Sequence, residues 1–395
     1  MLPGDLRYRR GVRALTLAVA AGCAAAFPAL SAPATAAPPE ITCGWSPRIN
    51  ADTFNVAFPD TFANYWMTLV PAAPGAGVTL RGEFPHARYI SFVTYSALGE
   101  ATDVVTDTSI TPDAGSVNPF PDGADRQAAN RSYTVRVVAG ERPANPEPNT
   151  LYARPANGVI PVLYRVYRPD AGRDAMGGTG LPRTTVHTAG GGSYDLADCG
   201  TSTSASDPHG VFSQGRSRLG GRAVPPPHAP QWAGREGGGL FPNPDNKYLA
   251  TLVDTGRTAV VRGRLPDTPD TYPGTARMDA AQLRYWSMCT GDGPSTSTIG
   301  CLVDDELPVD ANGEYTIVVS APEQRPDPAC GVAWLPANSG ETLLIMRNML
   351  PSGDFPNAVQ GADPENPEPV LGPYYPRITY PSGSADADGV CPAIR

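Results

Sequence analysis

Val78-Thr79-Leu80-Arg81-Gly82-Glu83-Phe84 and, 181 residues later, Ala259-Val260-Val261-Arg262-Gly263-Arg264-Leu265 carry one pattern: apolar side chains at alternate positions around a shared Arg-Gly step. Such alternation sends one set of side chains to a core and the other to solvent, the mark of a half-buried strand. Four further segments recur in the same order. Tyr65-Trp66-Met67-Thr68-Leu69 parallels Tyr248-Leu249-Ala250-Thr251-Leu252, and Arg88-Tyr89-Ile90-Ser91-Phe92 parallels Arg284-Tyr285-Trp286-Ser287-Met288. Asn130 with Tyr133-Thr134-Val135 parallels Asn312 with Tyr315-Thr316-Ile317. Pro155-Ala156-Asn157 parallels Pro336-Ala337-Asn338, each followed by an apolar run that reaches Arg165 or Arg347. Five matches in one order indicate an internal duplication.

The fold expected is all-β: two tandem, duplicated antiparallel β-sandwich or jelly-roll-like domains with long irregular connections. Asn312-Gly313 ahead of Glu314–Val319 is a turn signal before a strand. No stretch of more than about ten residues has helical periodicity. Of 395 residues, 45 are Pro and 42 are Gly, which disfavours long helices and fits many turns. The expected domains are residues 40–201 and 240–353. Between them, 202–239 is rich in Gly, Pro and Ser and reads as a linker; 354–395 reads as an irregular tail in which 374–380 returns to the body.

Residues 1–36 read as a secretory signal peptide, with Arg7, Arg9, Arg10 and Arg13, a short apolar run from Ala14 to Ala26, and Ala34-Thr35-Ala36 as a cleavage site. Lipoprotein anchoring at Cys23 is the less favoured variant. Without 1–36 the chain has 26 basic and 38 acidic residues, a net charge of −12 that argues against nucleic acid as partner. No other run is long and apolar enough to form an integral membrane segment. The remaining six cysteines, Cys43, Cys199, Cys289, Cys301, Cys330 and Cys391, are an even set in an exported chain and read as disulfides. Cys289 and Cys301 are close enough to staple one hairpin. Cys43 with Cys199 and Cys330 with Cys391 would each tie one half, although fifteen pairings are open in principle.

Ala333-Trp334-Leu335-Pro336-Ala337-Asn338, followed by Leu343 to Arg347, resembles the tryptophan-leucine-proline-alanine run and later arginine of certain exported bacterial β-rich proteins. Those form a family of domains of unknown function, often found as tandem pairs. The resemblance implies architecture and no reaction.

Chemistry is sparsely marked. No G-x-S-x-G elbow is present, and His86, His187, His209 and His228 read as surface or turn histidines. No H-x-x-x-H, H-x-H or C-x-x-C occurs, so no metal site and no cofactor is expected. Ser384 to Gly389 imitates half a calcium loop but reads as a polar tail, and Asp304-Asp305-Glu306 reads as a solvated loop. Trp286 and Trp334 read as core aromatics. Arg88 and Arg284 begin equivalent strands, and a duplicated guanidinium suits a carboxylate or phosphate; Tyr374 and Tyr375 are the candidates for aromatic ligand contacts. Catalytic residues are not identifiable. The function expected is a secreted non-catalytic binding or interaction protein of the cell envelope or extracellular space, its partner a glycan or a protein surface. The alternatives are a secreted hydrolase or lyase with its site between the two β domains, and a purely structural envelope component.

Overall fold

Interior strands of a stacked β structure are covered on both faces, and edge sheets on one; that difference organises this molecule. The computed structural model describes residues 41, 43–72, 75–200, 230–234, 241–338 and 340–381. The candidate signal peptide, most of 202–239, Cys391 and the calcium-like segment lie outside them. The first half supplies β1 (Ala63–Pro71), β2 (Gly77–Glu83), β3 (Ala87–Tyr95), β4 (Ala101–Thr106), β5 (Ser132–Ala139), β6 (Thr150–Ala153), β7 (Val159–Pro169), β8 (Arg183–His187) and β9 (Ser193–Leu196). The second supplies β10 (Ala233–Gly234), β11 (Asn246–Asp254), β12 (Ala259–Arg264), β13 (Leu283–Asp292), β14 (Ser297–Val303), β15 (Glu314–Ser320), β16 (Ala333–Pro336), β17 (Glu341–Pro351) and β18 (Arg377–Thr379).

The duplication holds strand by strand. Sheet order β1-β7-β3-β4 matches β11-β17-β13-β14, and β6-β5-β2-β8 matches β16-β15-β12-β18. The parallel pairs, β5 with β6 and β15 with β16, occupy equivalent places in otherwise antiparallel sheets. Each half is thus a sandwich of two open sheets. In the outer sheet, Tyr133, Val135 and Val137 are buried while Arg136 between them is exposed, so the alternation read from the sequence is present. In the inner sheet all nine residues of β3 are buried. One face of that sheet, through Ile90, Phe92, Val162 and Tyr164, joins the first-half core. The other, through Tyr89 and Tyr167, packs on Tyr285 and Met349 of the second half. The Tyr167 and Tyr285 rings meet edge to face with centroids 5.3 Å apart, an arrangement worth about 0.5–1.5 kcal/mol beyond burial.

Gly82 and Gly263 recur for a steric reason. A Cβ on either would stand 2.8 Å from the phenol oxygen of Tyr133 or Tyr315, closer than any side chain tolerates without displacing the ring. Trp45 and Trp232 are a second repeated device: each buried indole donates from Nε1 at 2.6 Å to a carbonyl, of Pro182 and Pro376 respectively.

Two expectations need correction. Trp232 lies within the stretch whose composition reads as a linker, yet it belongs to the second-half core. The composition of its neighbours masks one large apolar side chain. Likewise residues 354–381 are not a trailing tail. Phe355, Val359 and Leu371 are buried in that core, and β18 pairs with β12 as β8 pairs with β2. Disulfides join Cys43 to Cys199 and Cys289 to Cys301. Cys330 is also disulfide-bonded, and the expected pairing with Cys391 falls outside the described residues. Two disulfides fit an oxidising compartment. Among the described residues no helix is long and apolar enough to cross a membrane.

Candidate functional site

The sequence-selected arginines are brought together but are fully engaged. Arg88 is wholly buried; it pairs with Asp304, donates from Nη2 at 2.9 Å to Asp305 Oδ2, and donates from Nε at 3.0 Å to Thr271 Oγ1. Arg284 Nη1 stands 3.4 Å from Asp107 Oδ2, and its Nη2 donates at 3.0 Å to the Phe120 carbonyl. Asp107 and Asp304 each open an equivalent 3-10 turn, after β4 and β14. Asp107 accepts the Ile90 amide of its own half, and Asp304 the Trp286 amide of its own. Each half therefore offers an Arg to the other's Asp, the reciprocal pattern of a two-fold interface. Asp304-Asp305-Glu306, read as a solvated loop, is instead an ionic anchor: Arg168 also binds Asp305 and Glu306. Sequence could not pair residues more than 170 positions apart.

Tyr374 and Tyr375 are half-buried on the second-half core. Tyr374 packs edge to face on Phe355 at 5.1 Å and accepts from Gln282 Nε2 at 3.2 Å. The Arg377 guanidinium lies 5.9 Å from the Tyr375 ring. His187 Nε2 meets Thr79 Oγ1 at 2.8 Å on the surface. His86 sits beside Arg131, with Nε2 2.6 Å from Nη1. Burial first, then the cations Arg131, Arg173 and Arg126, push His86 down to about 4. Its unfolded value is near 6.5, so its neutral form contributes stability that is full above pH 6.5 and lost as pH falls towards 4. An NMR titration is expected to place its midpoint near 4; a midpoint near 6.5 would refute the burial argument.

The cavity that the sequence did not locate lies between the inner sheets. It has a volume of about 160 Å³ and is lined by both halves, with Tyr65, Leu163 and Arg165 from one and Tyr248, Ile345 and Arg347 from the other. These are repeat partners. Tyr65 faces Arg165 across β1 and β7, and Tyr248 faces Arg347 across β11 and β17. The guanidinium-to-ring distances are 5.8 Å and 5.9 Å, within cation–π range. Both arginines are buried, 1% and 3% exposed.

Two equivalent segments complete the site, Phe58-Pro59-Asp60 and Phe241-Pro242-Asn243. Phe58 and Phe241 both have left-handed backbone, with φ of 54° and 53°. For a bulky residue this costs about 1–3 kcal/mol and marks a constrained position. The constraint aims carbonyls crosswise: Arg347 Nη2 donates to Phe58 O at 2.7 Å, and Arg165 Nη2 to Phe241 O at 2.8 Å. Arg347 further donates to Cys289 Sγ and lies 3.6 Å from Asp60 Oδ2, which also accepts from Ser287 Oγ at 2.6 Å. Arg165 Nη2 donates to Tyr95 Oη at 2.5 Å, but its Nη1 has no hydrogen-bond partner among the described residues. Burial opposes the Arg165 charge, yet Tyr95, Tyr167 and Tyr89 hold its pKa above the ordinary value. Burial and then Asp60 push Tyr65 up to about 12, and burial pushes Tyr167 up as well. Asp60, Cys289 and Cys301 also cluster, but the disulfide removes the two thiolates a metal would need. The recurrence of Tyr65 with Tyr248 and of Arg165 with Arg347 was the available sequence signal; nothing in it said that they converge.

No protein-family model matches the chain, and no curated protein matches it. Among solved structures, an uncharacterised protein from Burkholderia cenocepacia is 12% identical, with 86% of this chain and 82% of that chain covered and a TM-score of 0.52. The VPA0106 protein from Vibrio parahaemolyticus is also 12% identical, covering 81% of this chain and 89% of that one, at a TM-score of 0.37. At such identity the first likeness is one of fold alone, a distant resemblance to an uncharacterised bacterial protein.

Proposed function

We propose that the protein is a non-catalytic binding protein that works outside the cytoplasm and holds a small molecule in the cavity between its halves. The cavity itself carries this reading. A concave, mainly apolar space with a few converging polar groups is the usual form of a small-molecule site, whereas glycan and protein partners call for a broad outer face. The disulfides and the expected signal peptide support export. The polar side chains at the cavity are guanidinium, phenol and amide groups. Nucleophilic catalysis requires an activated nucleophile beside a base, and glycoside cleavage requires two flanking carboxyls; the cavity lining supports binding better than either.

A small-molecule library screened by thermal unfolding, on the wild type and on Ala250→Trp, tests this. Ala250 is a half-buried lining residue, and an indole there would occupy the space. Ligands near a hundred times their Kd stabilise by about 2.7 kcal/mol, so hits are expected to raise the wild-type midpoint measurably and to lose that effect in the variant. Hits acting equally on both proteins would contradict the proposal, as would turnover of an ester or glycoside that the variant abolishes.

A further inference from the structure

The two halves of the cavity differ at one decisive place. Arg347 has a carboxylate, Asp60 at 3.6 Å. The position equivalent to Asp60 is Asn243, a buried amide that also lines the cavity and exchanges hydrogen bonds with Tyr89 Oη at 3.1 Å. Arg165, the counterpart of Arg347, therefore has carbonyl and phenol partners but no salt bridge among the described residues, and its Nη1 donor is unused. An unneutralised cation at 1% exposure is costly, whereas the same group beside an anion forms the stronger, charge-assisted class of hydrogen bond.

Resting on the small-molecule reading, we infer that the ligand is an organic monoanion with an apolar body, a small carboxylate, whose charged end is held by Arg165. Leu163, Ile345 and the Tyr65 and Tyr248 rings would take the apolar body. An apolar space of ~150 Å³ accepts one benzene, so the body is about one ring or a short alkyl chain. Arg347 is already neutralised by Asp60, which gives the ligand one preferred orientation in a nearly symmetric site.

The test is isothermal titration of the full chain with benzoate and hexanoate against benzyl alcohol and 1-hexanol. The acids are expected to bind at least roughly tenfold tighter than the alcohols, as a charge-assisted contact requires. Asn243→Asp supplies the missing carboxylate and is expected to cut that preference to about threefold or less. Equal binding of acids and alcohols would overturn the anion assignment and leave the small-molecule reading standing. An acid preference that survives Asn243→Asp would place the anion away from Arg165 and also overturn it. Failure of all four probes to bind would overturn this inference, whereas the small-molecule reading falls only if the library screen yields no ligand sensitive to Ala250→Trp.

Discussion

Arg284→Met is expected to destabilise the protein by about 3–5 kcal/mol at pH 8, because it strands Asp107 as a buried carboxylate without its cation. Asp107 is wholly buried, and burial, opposed by Arg284, already pushes its pKa up to about 6. In the unfolded chain the value is near 3.9. A raised folded pKa means a contribution that is full below pH 3.9 and lost as pH rises through about 6. Without Arg284 the folded pKa rises further, so the loss is expected to be greatest at pH 8 and distinctly smaller at pH 5, where Asp107 can take up a proton. Urea unfolding at the two pH values measures this. The double variant Arg284→Met/Asp107→Asn, with no charge left to strand, is expected to recover most of the loss. A pH-independent loss, or a double variant as weak as the single, would show that the crossed Arg–Asp pairs do not govern the interface.

Trp232→Ala carries the second large effect. The indole is 2% exposed, and truncating a buried aromatic to Ala costs about 3–5 kcal/mol through lost burial and the cavity left behind. It also leaves the Pro376 carbonyl without its donor, adding to the loss. Trp45→Ala, which strips the same bond from Pro182, is expected to destabilise to a similar extent. Urea unfolding of the two variants decides it. A loss below about 1 kcal/mol for Trp232→Ala would mean that the stretch around it behaves as the linker its composition suggests.

Gly82 with Gly263, and Tyr133 with Tyr315, exposed the duplication, because a steric requirement inside one sandwich is local and is copied with it. Alternation in β2 and β5 was legible because their sheet has one solvated face. β3 and β7 are covered on both, so no polar side of those strands marked which face meets the other half. The roles of Arg88 and Arg284 depended on Asp304 and Asp107, each contributed by the opposite half, and no periodicity encodes such pairing. Trp232 was hidden by its Gly- and Pro-rich surroundings. Arg165 and Arg347 were visible only as the ends of apolar runs. Their meaning comes from the crosswise approach of Phe58 and Phe241 and from a single Asp-to-Asn difference between the copies.

A crystal structure of the full chain grown with 4-iodobenzoate, with the iodine located by its anomalous signal, tests the anion site at Arg165 most directly. One iodine is expected in the cavity between the inner sheets, with the carboxylate facing the Arg165 guanidinium. Iodine bound only outside that cavity, or a cavity without iodine while titration shows the protein saturated, would contradict it.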